Sequence, residues 1–267
     1  MSREVLRVAG LTCRFGGLTA VDSLDLTLRQ NDLAGLIGPN GAGKTTVFNL
    51  LTGRVPATAG AVSFRGQAVL GQKAHIINGL GMARTFQNIR LFSELTVLDN
   101  VLVGFHGRLA ASFISAIFRL PAYRREERRT LQRATVLLDL VGLGELAGEK
   151  AGNLAYGQQR LLEIARALAT APSLLLLDEP AAGMNPQETV DLAGLVRRLR
   201  DDMGLTVLLI EHDMRFVMSL CEHITVLDYG RVIARGTPEE VQADPAVIQA
   251  YLGAGPAEAP AQGGGHA

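Results

Sequence analysis

The chain has 267 residues, 48% of them hydrophobic and 19% charged, and its 26 basic and 26 acidic side chains cancel. That length sustains one large α/β domain with lobes and needs no second core. The charge balance excludes the basic footprint of a protein that grips nucleic acid or anionic lipid.

Cys13 and Cys221 lie far apart without metal-ligand spacing and read as reduced, packed thiols. The first ten residues, MSREVLRVAG, lack the apolar run of a secretory signal. The most membrane-like stretch, Leu109 to Phe118, is about half of the roughly 20 apolar residues needed to span a bilayer, so the chain is not expected to cross one. A mean hydropathy of +0.20 allows for an apolar surface covered by another protein, although abundant Ala, Leu and Val raise the index by themselves.

In chain order, residues 5–9, 20–29 and 61–64 alternate apolar and polar side chains between Gly-rich turns, which predicts an antiparallel β lobe. Leu33 to Ile37 is an apolar strand entering a Gly-rich turn, and Lys44 to Leu51 follows with helical spacing until Gly53. From about Ile89 to Leu168 the pattern is helical. Thr96 with Asp99 forms a capping box, and residues 126–141 carry apolar Leu131, Leu137, Leu138 and Val141 ahead of Gly142. Strands and helices then alternate: strand Leu174–Leu177, helix Pro186–Met203, strand Thr206–Ile210, helix Asp213–Cys221 and strand Ile224–Leu227. Such alternation predicts a parallel sheet with helices on both faces. Asn185 as N-cap, Pro186 at N1 and Glu188 at N3 define one helix start. The last stretch, residues 253–267, is Gly, Ala and Pro with almost no apolar bulk and is expected to be disordered.

Gly38-Pro-Asn-Gly-Ala-Gly-Lys-Thr45 matches the phosphate-loop pattern. Backbone N–H groups of such a turn, with the positive end of the helix behind them, converge on nucleotide phosphates. Gly38, Asn40, Gly41, Gly43, Lys44, Thr45 and Thr46 are the nucleotide-binding residues of this segment, with Lys44 at the β and γ phosphates and Thr45 completing a Mg2+ shell. Asp178 and Glu179 follow an apolar strand at the sheet edge where open α/β folds bind ligands. Neighbouring acids on an extended segment point apart, so Asp178 is assigned to the metal and Glu179 to an attacking water.

The order of phosphate loop, Gln87, Leu154-Ala-Tyr-Gly-Gln158, Asp178-Glu179 and His212 resembles an ABC transporter ATPase from about Val5 to Leu252. The resemblance implies a P-loop NTPase fold: an ABC cassette with a RecA-like core, an antiparallel β subdomain and a helical subdomain at about 89–168, all in one domain over 1–252. It implies ATP and Mg2+ as ligands. It also makes Gln87 the Q-loop residue near metal and water, His212 the switch histidine at the γ phosphate, and Phe15, with Val21 beside it, the adenine platform. Ala155, Gly157 and Gln158 belong to the signature segment, which faces the nucleotide of an opposite subunit. Here the chain departs from Leu-Ser-Gly-Gly-Gln, because Ala155 lacks a hydroxyl and Tyr156 replaces a glycine. Asn185 stands where Asp is common in the D-loop.

Ala-Gly-Met-Asn-Pro186, Tyr-Gly-Gln-Gln-Arg160, the phrase from Leu227 to Pro238 and a helical insert near 105–130 resemble the LivG subfamily, which energises branched-chain amino acid uptake. That implies a homologous ATPase as dimer partner, two membrane permease subunits, a periplasmic binding protein engaged indirectly, and a peripheral location on the cytoplasmic face of the inner membrane. The insert, Leu109 to Phe118, reads as a subfamily packing helix; the rival is a contact to the membrane subunit, which charges at Phe113 and Ile117 would uncouple. Alternatives are the ATPase of a urea or amide importer or a lipopolysaccharide exporter. A soluble ABC protein on ribosomes or DNA is disfavoured by the single cassette and neutral charge. A non-catalytic dimerisation module is disfavoured by Glu179 and His212.

Overall fold

The computed structural model describes residues 3–105 and 121–253. Strands β1 (Glu4–Phe15) and β2 (Leu18–Arg29) pair antiparallel around the turn at Gly16 and Gly17. β4 (Ala59–Phe64) and β5 (Gln67–Ala68) extend them into a sheet of order β2-β1-β4-β5, the expected antiparallel lobe.

The second sheet has six strands: β3 (Leu33–Ile37), β6 (Met82–Arg84), β7 (Leu174–Asp178), β8 (Thr206–Ile210), β9 (His223–Asp228) and β10 (Arg231–Gly236). Their order is β10-β9-β3-β8-β7-β6. All neighbours run parallel except β10, which folds back antiparallel on β9. The parallel strands therefore end at one edge, and the segments leaving β3, β6, β7 and β8 carry the chemistry-bearing residues.

The central strands β3, β7 and β8 are buried on both faces because they are almost wholly apolar, and successive side chains serve different cores. Leu175, Leu177, Val207 and Leu209 join one cluster, while Leu174, Leu176, Leu208 and Ile210 join the other. The first cluster is completed by helices α3 (Val97–Phe105), α4 (Pro121–Leu140), α5 (Tyr156–Ala169), α6 (Pro186–Asp201) and α7 (Met214–Leu220). The second is covered by α1 (Lys44–Leu51) and the antiparallel sheet, with α2 (Ala74–Gly79) contributing Ile77. One face is thus covered by helices and the other by a helix and a sheet, where helices alone were expected. Each fully buried Leu, Ile or Val contributes about 1.5–3 kcal/mol, so a slip of one residue that exchanged the faces is heavily penalised.

Helices α8 (Pro238–Ala243) and α9 (Pro245–Gly253) close the described chain against β10. The capped start of α6 is as expected: Asn185 accepts from the Glu188 N–H at 2.9 Å, and Glu188 accepts from the Asn185 N–H at 2.8 Å. α6 ends at Asp201, two residues before the expected Met203, as the chain turns through Gly204 at φ +66°. Of the apolar residues read at helical spacing over 126–141, Leu137, Leu138 and Val141 are buried and Leu131 is 44% exposed. Both cysteines are buried and free, and burial pushes the Cys221 thiol up to about 12, which makes it inert at neutral pH. Among the described residues no helix is long and apolar enough to cross a membrane. The apolar insert at 109–118, and the expected disordered tail apart from Gly253, lie outside the described residues.

Candidate active site

The phosphate loop leaves β3 at the centre of the sheet and enters α1 at Lys44. Gly43 holds φ +100°, and a Cβ there would come within 2.3 Å of the Ala20 carbonyl oxygen, so only glycine lets the loop lie against β2. The Ala42 carbonyl accepts from Gly230 in the β9–β10 turn, which fixes the loop from the other side. α1 has no side-chain cap and no acid in its first turn, leaving its N-terminal N–H groups for an anion. Lys44 is buried and its ammonium donates to the carbonyls of Gly38 at 2.7 Å and Pro39 at 2.8 Å. Burial lowers its pKa, and the charges of Glu179 and Asp178 oppose that shift. Thr45, Asn40 and Gly41 are exposed at the loop, and Gly43 and Thr46 are half-buried.

Asp178 closes β7 and is buried. Its Oδ2 takes a 2.7 Å ion pair from Arg84, while its Oδ1 has no hydrogen-bond partner. Glu179 is not extended, as the sequence suggested; it holds φ +48°, a left-handed conformation that costs a non-glycine residue about 1–3 kcal/mol. Its N–H donates to the Ile210 carbonyl at 2.9 Å, so β8 helps to impose that backbone. The two carboxylates have different partners, Arg84 for Asp178 and Gln87 for Glu179. Gln87 Nε2 donates to Glu179 Oε2 at 2.9 Å, and His212 Nδ1 lies 3.8 Å from the same oxygen. Lys44, Asp178, Glu179, Gln87 and His212 thus share one sheet edge.

Two residues that sequence reasoning passed over hold this arrangement. Arg84 also donates to Asn49 Oδ1 at 2.8 Å and Thr52 Oγ1 at 3.3 Å, tying the strand before Gln87 to α1 and to Asp178. Glu211 is fully buried and accepts from the N–H groups of Ala181 at 2.8 Å and His212 at 3.1 Å. Burial raises its pKa, against the pull of those backbone bonds. An acid directly after an apolar strand was the available signal.

Phe15 stands at the lobe's hairpin end and is 49% exposed. Val21 is a correction: its side chain, on β2, is fully buried in the lobe core and presents no face to a base. The signature residues open α5. Gln158 Oε1 accepts from the Ala155 N–H at 3.1 Å, but the Ala155 methyl cannot return the bond, so the helix start is half capped. Ala155 is exposed, and Gly157 is buried where a Cβ would meet Glu188 Oε1 at 2.6 Å.

Residues 21–182 match the family described as "ABC transporter", and residues 231–257 match "Branched-chain amino acid ATP-binding cassette transporter". The chain is 51% identical over 253 residues to the high-affinity branched-chain amino acid transport ATP-binding protein BraF of Pseudomonas aeruginosa, covering 95% of this chain and 99% of that one. It is 48% identical, with the same coverage, to LivG of Escherichia coli K12. Among solved structures it is similar to the ADP conformation of MJ1267, an ATP-binding cassette of an ABC transporter, with a TM-score of 0.83 and 33% identity over 94% of this chain and all of the other. A loop-borne lysine, paired acids, Gln87 and His212 at one sheet edge, and identity across nearly the full chain, lead to one assignment: the protein belongs to the ABC transporter family, among the branched-chain amino acid transport ATP-binding proteins.

Proposed function

We propose that this chain hydrolyses ATP to power import of branched-chain amino acids through a separate permease, working as one of a pair of cassettes. The observation that carries the reading is the uncapped start of α1 behind the phosphate loop, on one sheet edge with Glu179 and Gln87, while the signature segment opens a separate helix, α5, which suits the nucleotide of a second cassette. We read residues 1–252 as a single ABC ATPase domain with a helical subdomain at about 89–168. A homologous ATPase completes the pair, two permease subunits dock on it from the membrane, and the periplasmic binding protein acts through them. The subunit then sits on the cytoplasmic face of the inner membrane without entering it.

Lys44 exchanges its loop carbonyls for phosphate oxygens, and the N–H groups of the loop and α1 take the remaining charge. The Thr45 hydroxyl and the unpartnered Asp178 Oδ1 suit Mg2+, which takes few protein ligands and keeps phosphates and water; no cluster of three or more acids, His or Cys among the described residues makes a cage. Held there, Mg2+ would supply neutralisation of the negative charge that develops on the transferred phosphoryl group. Glu179, held by the Gln87 amide, orients or deprotonates the attacking water, and His212 contacts the γ phosphate. Phe15 stacks on the base.

Calorimetry should show MgATP binding to the purified chain, and vesicles carrying the whole complex should take up leucine only with ATP inside. Absence of nucleotide affinity with every companion subunit supplied would sink the reading. Ala155→Ser adds the missing hydroxyl, completes the α5 cap by about 1 kcal/mol and gives the opposite phosphate a donor. The steady-state ATPase of the complex should rise; an unchanged rate would show that the helix end alone suffices.

A further inference from the structure

The Q-loop is held from the helical side by α5. Arg160 is 3% exposed; it donates from Nη1 to the Phe86 carbonyl at 2.6 Å and from Nη2 to the Gln87 carbonyl. The same Nη2 donates to the Tyr156 hydroxyl at 2.9 Å, with the guanidinium 5.4 Å from that ring's centre. Glu163, equally buried, accepts from the Phe86 N–H at 3.3 Å and lies 3.6 Å from Arg160. Buried charges seldom improve stability over apolar packing of the same volume. What these supply is direction: charge-assisted bonds on two successive carbonyls fix the peptide planes that aim the Gln87 side chain at Glu179.

Tyr156 is the outer end of this chain of contacts. It is the first residue of α5, 45% exposed, and its ring lies on the D-loop: a Cβ at Gly183, where φ is +76°, would come within 2.8 Å of Tyr156 Cε1. Arg160 Nη2 serves the Tyr156 hydroxyl and the Gln87 carbonyl together, while its Nε has no hydrogen-bond partner. A guanidinium anchored only at its tip re-aims when one acceptor moves.

We propose that Tyr156 and Arg160 form a positioning relay between the two nucleotide sites of the assembled pair: when the signature segment seats against the opposite nucleotide, Tyr156 moves, and Arg160 transmits that movement to Gln87 and its bond to Glu179. The relay rests on the paired ATPase reading above. It converts the substitution of a signature glycine by Tyr156 from a loss into a coupling device, because a glycine there has nothing for Arg160 to hold.

Tyr156→Phe removes one hydroxyl and nothing else. In the complete transporter complex it should lower kcat about five-fold or more at unchanged KM for ATP and bring the Hill coefficient toward 1, as loss of a coupling of ordinary size does. Amide exchange gives a second readout: closure with ATP should protect the Phe86 and Gln87 amides in the parent complex and fail to do so in the variant. Arg160→Lys, which keeps charge but not the two-pronged contact, should behave likewise. A purely structural tyrosine would alter thermal stability without this split. The relay is overturned if Tyr156→Phe keeps the Hill coefficient and the closure-linked protection, or if the parent's Gln87 amide gains none on closure. Failure of the underlying ATPase reading looks different, since parent and variant alike would then bind no nucleotide in calorimetry.

Discussion

Glu179→Gln should bind MgATP with affinity within about two-fold of the parent and lose about 100-fold or more in kcat, the usual cost of removing one preorganised group from a transition state. The substitution is nearly isosteric. Its amide oxygen still accepts from Gln87 Nε2, and its backbone meets the same left-handed turn tied to Ile210, so site geometry survives. Only the basic oxygen is lost. If hydrolysis reopens the proposed pair, the variant complex should also accumulate as a closed, nucleotide-loaded dimer, visible by size-exclusion chromatography with retained ATP. Single-turnover measurement separates the outcomes: a variant keeping more than about a tenth of the parent rate would take the proton-accepting role away from Glu179 and leave it to His212 or solvent.

The parts of this site that could be read from sequence are those whose chemistry is local. The phosphate loop is one turn whose glycines, lysine and threonine lie within eight residues between an apolar strand and a helix, and the structure realises it over the same residues. The N-cap at Asn185 is equally local. Glu179 was legible as an acid after a strand, but its left-handed backbone was not, because β8 imposes it through Ile210. Val21 was placed at the base by the family resemblance alone, and the local pattern could not have corrected it. Register shifts around Cys13 and a positive φ at Ser23 interrupt the alternation of β1 and β2, so spacing from Phe15 does not say which face Val21 takes.

Arg84, Glu211 and Arg160 escaped because their partners are distant in the chain. Arg84 meets Asp178 across 94 residues, and Arg160 meets Phe86 across 74. A lone arginine in a sequence carries no mark of such a pairing, and the default expectation for it is solvent. The short strand β6 escaped with Arg84, since three residues give no usable period, while parallel pairing with β7 stabilises them all the same. The site therefore has a local half, written in motifs, and a long-range half, written only in the stacking of β6, β7 and β8.

Arg84→Met tests the long-range half. The methionine occupies similar volume but leaves the buried Asp178 carboxylate without its 2.7 Å ion pair, and breaking such a pair from one side typically costs about 3–5 kcal/mol. It also strips donors from Asn49 and Thr52, unlinking α1 from β6. At roughly 2–4 °C per kcal/mol for a domain of this size, the melting temperature should fall by on the order of 10 °C. Adding Asp178→Leu removes the stranded charge as well and should recover most of the stability, although that double variant loses a proposed magnesium ligand and with it turnover. The pattern of a large single loss and a smaller double loss measures the coupling directly. If Arg84→Met melted within about 1 kcal/mol of the parent, Asp178 would have to find water or another donor in its place. The pair would then serve mainly to orient Asp178: Arg84 occupies Oδ2 and leaves Oδ1 as the oxygen free for the proposed magnesium.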